Sequence, residues 1–273
     1  MGLTVIAAAL GIGIGWANQE ERRFERLAAA EIASRLGGEE RRVAVNVRPD
    51  GLAAARGGLT LAEIKASQFS LQELPLFTEP DRPTDGRIDL LRLELADFRL
   101  RGLRVERLVA KIPDCRYDFG LARREKSMRL SRSGEGAGQV EIRAEDLADY
   151  IVAKFAEIKS CTVQLRGGWA WIEGYGEFVI VKSNFVVIAR VVPDGPRRLA
   201  LREAKIYFDW RRADPLAAEA LLSIMNPVID LDEDLGLHGA VDVTRVTCTD
   251  GLLTAEGVTR IPVKPAPRTT DNP

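Results

Sequence analysis

The tightest cluster of groups able to hold a metal or move a proton is IDLDEDLG, with Asp230, Asp232, Glu233 and Asp234. Alternating carboxylates are the pattern of a calcium loop, but a loop of EF-hand type begun at Asp230 needs a glycine and a glutamate where this chain has Leu235 and Val241. The run therefore reads as a polar loop between a helix and a strand. His238 has no serine or cysteine partner in its local sequence. Cys115, Cys161 and Cys248 are too few and too far apart for a zinc or iron–sulfur pattern, and no bridge is assigned among them; they suit small buried positions in strands. Gly11, Gly13 and Gly15 fail the dinucleotide fingerprint because Trp16 follows. With no nucleophile elbow, P-loop or zinc-protease motif either, the chain reads as a non-enzyme with no cofactor and no metal.

Composition narrows the field further. Of 273 residues, 46% are hydrophobic and 29% charged, which excludes a disordered or multi-span chain. Lys plus Arg (39) against Asp plus Glu (40) removes the electrostatic footprint of non-specific nucleic-acid binding. The densest basic segment is LARREKSMRLSRS, residues 121–133. It reads as a sheet edge guarded by charge or as a contact for an anionic lipid headgroup, with Arg123, Arg124, Lys126 and Arg129 the candidates.

Residues 2–17 form an uncharged apolar run, the mark of a secretory signal or an N-terminal membrane anchor. Residues 18–261 make the body, placed outside the cytoplasm in the periplasm or cell envelope, and the Pro-rich 262–273 reads as a disordered tail. Within the body, Phe24, Leu27, Ala28, Ile32 and Leu36 recur at helical spacing and Gly37-Gly38 stops the run. The period then drops to two, as in Leu91, Leu93 and Leu95. From 88 to 112 the apolar set changes phase repeatedly, which we read as a hairpin tip at Arg101-Gly102 and bulges in long, bent strands. Leu147, Ile151, Val152 and Phe155 mark a helix over 144–158, followed by a Gly167-Gly168 turn with Trp169 and Trp171 on one strand face. Residues 178–192, FVIVKSNFVVIARVV, are apolar at nearly every position and should be covered on both faces or lie near lipid. Asp214-Pro215 opens another helix, ended at Asn226-Pro227, and Asp250-Gly251 turns the closing hairpin.

These elements predict an α+β fold in which a strongly curved antiparallel β-sheet wraps amphipathic helices. The order of an N-terminal apolar segment, a helix, VAVNVRPDGLAAARGGLTLAEIKASQFSLQEL, LRLELADFRL, EIRAEDLADYIV, WAWIEG and NPVIDLDEDLGLHGAVDVTRVTCTDGLLTAEG resembles the LmeA-like phospholipid-binding family over residues 18–261. That resemblance implies an outline similar to tubular lipid-binding proteins, in which a curved sheet leaves an apolar groove for acyl chains; it transfers no ligand residue. The expected partner is a phospholipid or another amphiphile, with membrane association. Candidate groove residues are Phe24, Leu91, Leu93, Leu95, Ile151, Phe155, Trp169 and Trp171. The alternative is a structural or assembly protein of the envelope that binds another protein by edge pairing.

Overall fold

A computed structural model describes residues 22–23, 25–125, 127–178 and 182–263. The apolar run 2–17, Phe24, Lys126 and the tail beyond Val263 lie outside the described residues. The fold is mostly β-sheet (54%), with one sheet curled into a half-barrel and a few helices.

The 8-stranded sheet runs in the order β1 (Arg42–Pro49), β2 (Gly58–Leu71), β3 (Gly86–Leu100), β4 (Leu103–Tyr117), β6 (Gly136–Arg143), β14 (Leu252–Thr259) and β13 (Val241–Thr249), with β5 (Leu130–Arg132) paired to β4. The 6-stranded sheet runs β11 (Arg211–Arg212), β10 (Arg198–Phe208), β9 (Lys182–Pro193), β8 (Trp169–Glu177) and β7 (Ile158–Arg166), with β12 (Ile229–Asp230) on β10. The helices are α1 (residues 25–35), α2 (Phe119–Glu125), α3 (Ala144–Lys154) and α4 (Pro215–Met225).

Local chemistry sets the turns. Arg101-Gly102, Gly167-Gly168 and Asp250-Gly251 each join paired strands with both residues at positive φ, the twist that two-residue hairpins require. At the start of α4 the Asp214 carboxylate accepts the N–H groups of Leu216 and Ala217 at 3.0 Å, and Pro215 occupies the first turn.

Sheet curvature has two sources. In β3 and β4 the apolar phase changes between Leu95 and Phe98 and between Val105 and Leu108, yet Leu95↔Leu108 and Phe98↔Val105 keep one register. The expected bulge is therefore a shared crease. Asp97 (φ 47) and Gln68 (φ 58) stand at matched positions of β3 and β2 and turn both strands over together, so Ala66, Phe69, Leu95 and Phe98 face the same hollow. A true bulge does occur between β9 and β10, where the register shifts beside Glu203 (φ 54). Further along the large sheet, Ala110, Gly138, Gly257 and Val243 are successive cross-strand partners. A Cβ on Gly257 would stand 2.1 Å from the Asp242 carbonyl oxygen, and one on Gly136 would stand 1.8 Å from that of Lys111. The strands curl there because no side chain holds them apart.

Several expectations are corrected. The large sheet is not wholly antiparallel: β2 pairs with β3 in parallel, which forces residues 72–85 to cross over from one end of the strands to the other. The structure shows the curved sheet but does not show it wrapped around helices. Instead α3 packs on β7 and the edges of β4 and β6, where Leu147, Tyr150 and Ile151 join a core shared by both sheets. That helix ends at Lys154, four residues early, because Phe155 turns extended (φ −103, ψ 105) and Ile158 already begins β7. In β9, Ser183, Phe185, Val187, Ala189 and Val191 are buried while Val186 and Ile188 are half-buried, so the strand alternates and has one fully covered face. The basic segment includes most of the short helix α2 and then β5, which pairs antiparallel with β4 beside the main strand order, so charge does lie on a sheet margin but the connection is a helix and not a tight hairpin.

Gly257→Ala should therefore destabilise the protein by about 3 kcal/mol, since backbone must move to admit the methyl group. Gly251→Asn, at a turn with no atom within 4 Å of the added Cβ, should cost less than ~1 kcal/mol because Asn tolerates positive φ. Urea unfolding midpoints of the two variants distinguish a constraint on close approach from one on φ.

Candidate functional site

The curl leaves a hollow that the described side chains do not fill. Its volume is about 320 Å³, within the ~300–1,000 Å³ of small-molecule pockets. Inward-facing residues of β1, β2, β3, β4, β6, β14 and β13 line it, almost all aliphatic, and it runs along the β3–β4 hairpin from Ile88 and Ile112 to Leu100 and Leu103. Near the hairpin turn it is closed by Leu231, Leu235 and Leu237, from the loop that Arg101 reaches through the Glu233 carbonyl at 3.3 Å. Toward the other end lie Met128, Leu130, Ile261 and Pro262.

Two segments cross this groove. The β2–β3 crossover lays Leu74, Pro75 and Leu76 on it and is pinned just beyond, where the N–H of Thr78 donates to the Pro262 carbonyl and that of Glu79 to the Leu130 carbonyl, both at 2.8 Å. Helix α1 contributes Ala28, Glu31, Ile32 and Arg35, followed by Leu36. No described side chain of α1 is fully buried. Polar contacts from the described residues tie the helix to the groove: Arg35 donates to the Pro75 carbonyl at 3.4 Å, Ser127 donates to Glu31 at 3.3 Å, and Glu25 accepts the N–H of Val47 at 2.9 Å. Leu27, expected on the apolar stripe, is 44% exposed and faces away.

The strands thus form a half-barrel around an aliphatic hollow. The model of the LmeA-like phospholipid-binding family matches residues 82–258. The chain belongs to the LmeA-like phospholipid-binding family. The matched span opens in the crossover and closes in β14, leaving α1, β1 and β2 outside it. Neither the curated proteins nor the solved structures provide a match.

Of the residues singled out from sequence, Leu91, Leu93 and Leu95 line the groove of this family member. Ile151 (0% exposed) and Phe155 (7%) lie instead in the shared core beside α3, a destination that helical spacing does not distinguish from a groove. Trp169 and Trp171 are half-buried on the 6-stranded sheet, where the guanidinium groups of Arg190 and Arg166 cover their rings at 4.9 Å. Arg123 and Arg124 are exposed on α2, and Arg129 approaches Glu79 at 3.9 Å; none of the three lines the groove, although Met128 of the same segment does. Phe24 and Lys126 lie outside the described residues. His238 is exposed, its ring 6.0 Å from that of Phe77. The three cysteines are free; burial pushes the Cys115 thiol up to about 12 and those of Cys161 and Cys248 up to about 11, so none is a ready nucleophile. Among the described residues no three His, Cys, Asp or Glu side chains gather as metal ligands would, and no helix is long and apolar enough to cross a membrane.

The acidic run has a structural part in the groove. Asp230 accepts the N–H groups of Asp232 (3.1 Å) and Glu233 (3.0 Å) and the Arg198 guanidinium (2.8 Å). Asp232 accepts Arg197 at 3.0 Å, and Asp234 accepts the Lys154 ammonium at 2.5 Å. The acids thus fold the loop so that the leucines beside them close the groove. Leu231 among the acids and Leu235 and Leu237 just after them are the available signal, hidden by the charge of their neighbours. Burial pushes the Asp230 carboxyl up, but the N–H groups of Glu233 and Asp232 and the Arg198 guanidinium outweigh it and hold the group below its ordinary 3.8.

A depressed folded-state pKa contributes stability that is present above the unfolded value and lost as pH falls through the folded one. Asp230→Ala should therefore destabilise by about 1–3 kcal/mol at neutral pH. The gap between wild type and variant should narrow below about pH 4 in pH-dependent thermal unfolding. A gap that persists unchanged in acid would show that the loop does not depend on this charge.

Proposed function

We propose that the protein is a non-enzymatic binder of phospholipid or a similar amphiphile, whose acyl chains lie in the half-barrel groove on the extracytoplasmic side of a membrane. The observation that carries this reading is the groove itself: about 320 Å³ of aliphatic hollow inside a sheet whose backbone is built to curl around it. Such a volume left without partner atoms costs on the order of several kcal/mol, which a bound acyl chain offsets. Membership of a phospholipid-binding family supports the choice of ligand. The apolar run 2–17 supports a membrane-directed chain.

The headgroup belongs at the rim where the segment 119–130 borders α1. Met128 reaches the groove, Ser127 touches Glu31, and Arg123, Arg124 and Arg129 supply positive charge within a few residues. Loading requires α1 to move. The apolar side chains described on it are only partly covered, which lowers the cost of opening.

Native mass spectrometry of the purified full chain should show a discrete added mass matching a phospholipid, and solvent extraction should recover it above a control protein. Leu93→Glu puts a carboxylate on the half-buried groove wall and should reduce the bound lipid at least about tenfold, as an unpaired charge facing an acyl chain would. An apo mass with a stoichiometric protein partner would instead favour the envelope assembly reading.

A further inference from the structure

Among the described residues, four two-residue turns place both central residues at positive φ. Three put glycine second, at Gly102, Gly168 and Gly251; the fourth, between Phe208 and Arg211, puts Trp210 there at φ 66 after Asp209 at φ 44. A bulky side chain at this position is strained, and packing does not repay the strain because Trp210 is 79% exposed.

The turn is held at its base. Asp209 accepts the Ser183 hydroxyl at 3.0 Å and both the backbone N–H and side-chain amide of Asn184 at 3.2 Å. The indole is thus presented to solvent on a fixed stem at the edge of the 6-stranded sheet. Arg211 and Arg212, directly following, are exposed and make no ion pair within 4 Å among the described residues. Leu216, in the first turn of α4, is 78% exposed. An exposed indole with a leucine close in sequence and two exposed arginines between them matches the boundary of an anionic bilayer, where the amphipathic ring sits at headgroup level and each cation gains from the surface potential, while the neighbouring Asp209 carboxylate, which Arg211 helps to hold low, is turned to Ser183 and Asn184 at the stem.

We propose that the Asp209-Trp210 turn, with Arg211, Arg212 and Leu216, is the surface by which this protein docks on anionic phospholipid membranes. The choice of a lipid partner rests on the phospholipid-binding reading above; the turn lies apart from the groove.

The full chain and W210G are compared on phosphatidylcholine vesicles with and without phosphatidylglycerol. The apolar run 2–17 and the other three tryptophans are common to both, so the wild-type minus W210G emission reports Trp210. That difference should shift to the blue and be quenched by brominated acyl chains on anionic vesicles. W210G should bind roughly tenfold more weakly, the scale of burying one large aromatic side chain, while unfolding at the same or a higher temperature, because glycine relieves the turn. Arg211→Gln and Arg212→Gln should each weaken binding about fivefold, an effect abolished by salt. Unquenched difference emission on vesicles that carry the protein would overturn the inference. So would equal binding by W210G, or a Trp210 signal that follows protein concentration without vesicles, which would mean a second copy docks there. Groove-bound lipid, read by native mass spectrometry, should be unchanged in W210G; its absence from wild type alongside Trp210-dependent vesicle binding would count against the groove reading alone.

Discussion

The close approach of the β4 and β6 backbones at Gly136, and of the β14 and β13 backbones at Gly257, is the constraint on which the rest of the structure depends. With ordinary side chains at these points the strands would be pushed apart and the sheet would flatten, presenting its apolar face to water or to the other sheet. Curled, that face becomes the inner wall of a half-barrel, and its valines, leucines and isoleucines look at one another across a gap. The creases at Gln68 and Asp97 serve the same end in β2 and β3. Each changes the phase of its strand so that residues on both sides of the bend keep facing inward.

A hollow sheet cannot supply all of its own stability, and the division of labour between the sheets follows from that. The 6-stranded sheet, α3 and α4 join a closely packed core in which Phe185, Val187, Ala189, Ile151 and Met225 are at most 1% exposed. Sharing that core at one end, and carrying cross-strand ion pairs such as Lys65 with Glu94 on its outer face, the large sheet holds its shape without filling its inner surface. The acidic loop 230–237 links the two regions, since its carboxylates pair with Arg197, Arg198 and Lys154 while its leucines close the groove.

How much of this was legible in sequence follows the range of the interactions. The glycine turns, the Asp214 cap and the stop after α1 depend on neighbouring residues and were readable as such. The changes of apolar phase signalled bent strands, but whether a bend is a bulge or a crease depends on what the partner strand does at the same place. The parallel pairing of β2 with β3 was hidden for the same reason, and with it the path of Leu74, Pro75 and Leu76 over the groove. Leu93 and Ile151 show the limit most clearly: both lie on an apolar stripe of the right period, yet one faces a hollow and the other a solid core. Hydrophobic periodicity reports that a side chain leaves water and is silent about whether atoms of the same chain meet it.

Trp210 shows the converse case. Local rules fail there because the residue type contradicts the backbone, where the three other described two-residue turns with both residues at positive φ place glycine. A sequence consistent with its fold at every level would have put glycine or asparagine at that position, and departures of this kind concentrate where a residue is kept for something other than folding. The groove follows the same logic at a larger scale. An aliphatic surface curled on itself is locally unfavourable in water, and on the reading proposed above the exposed indole and the apolar wall are covered by the same class of molecule. A membrane lipid supplies hydrocarbon for the one and an interface for the other.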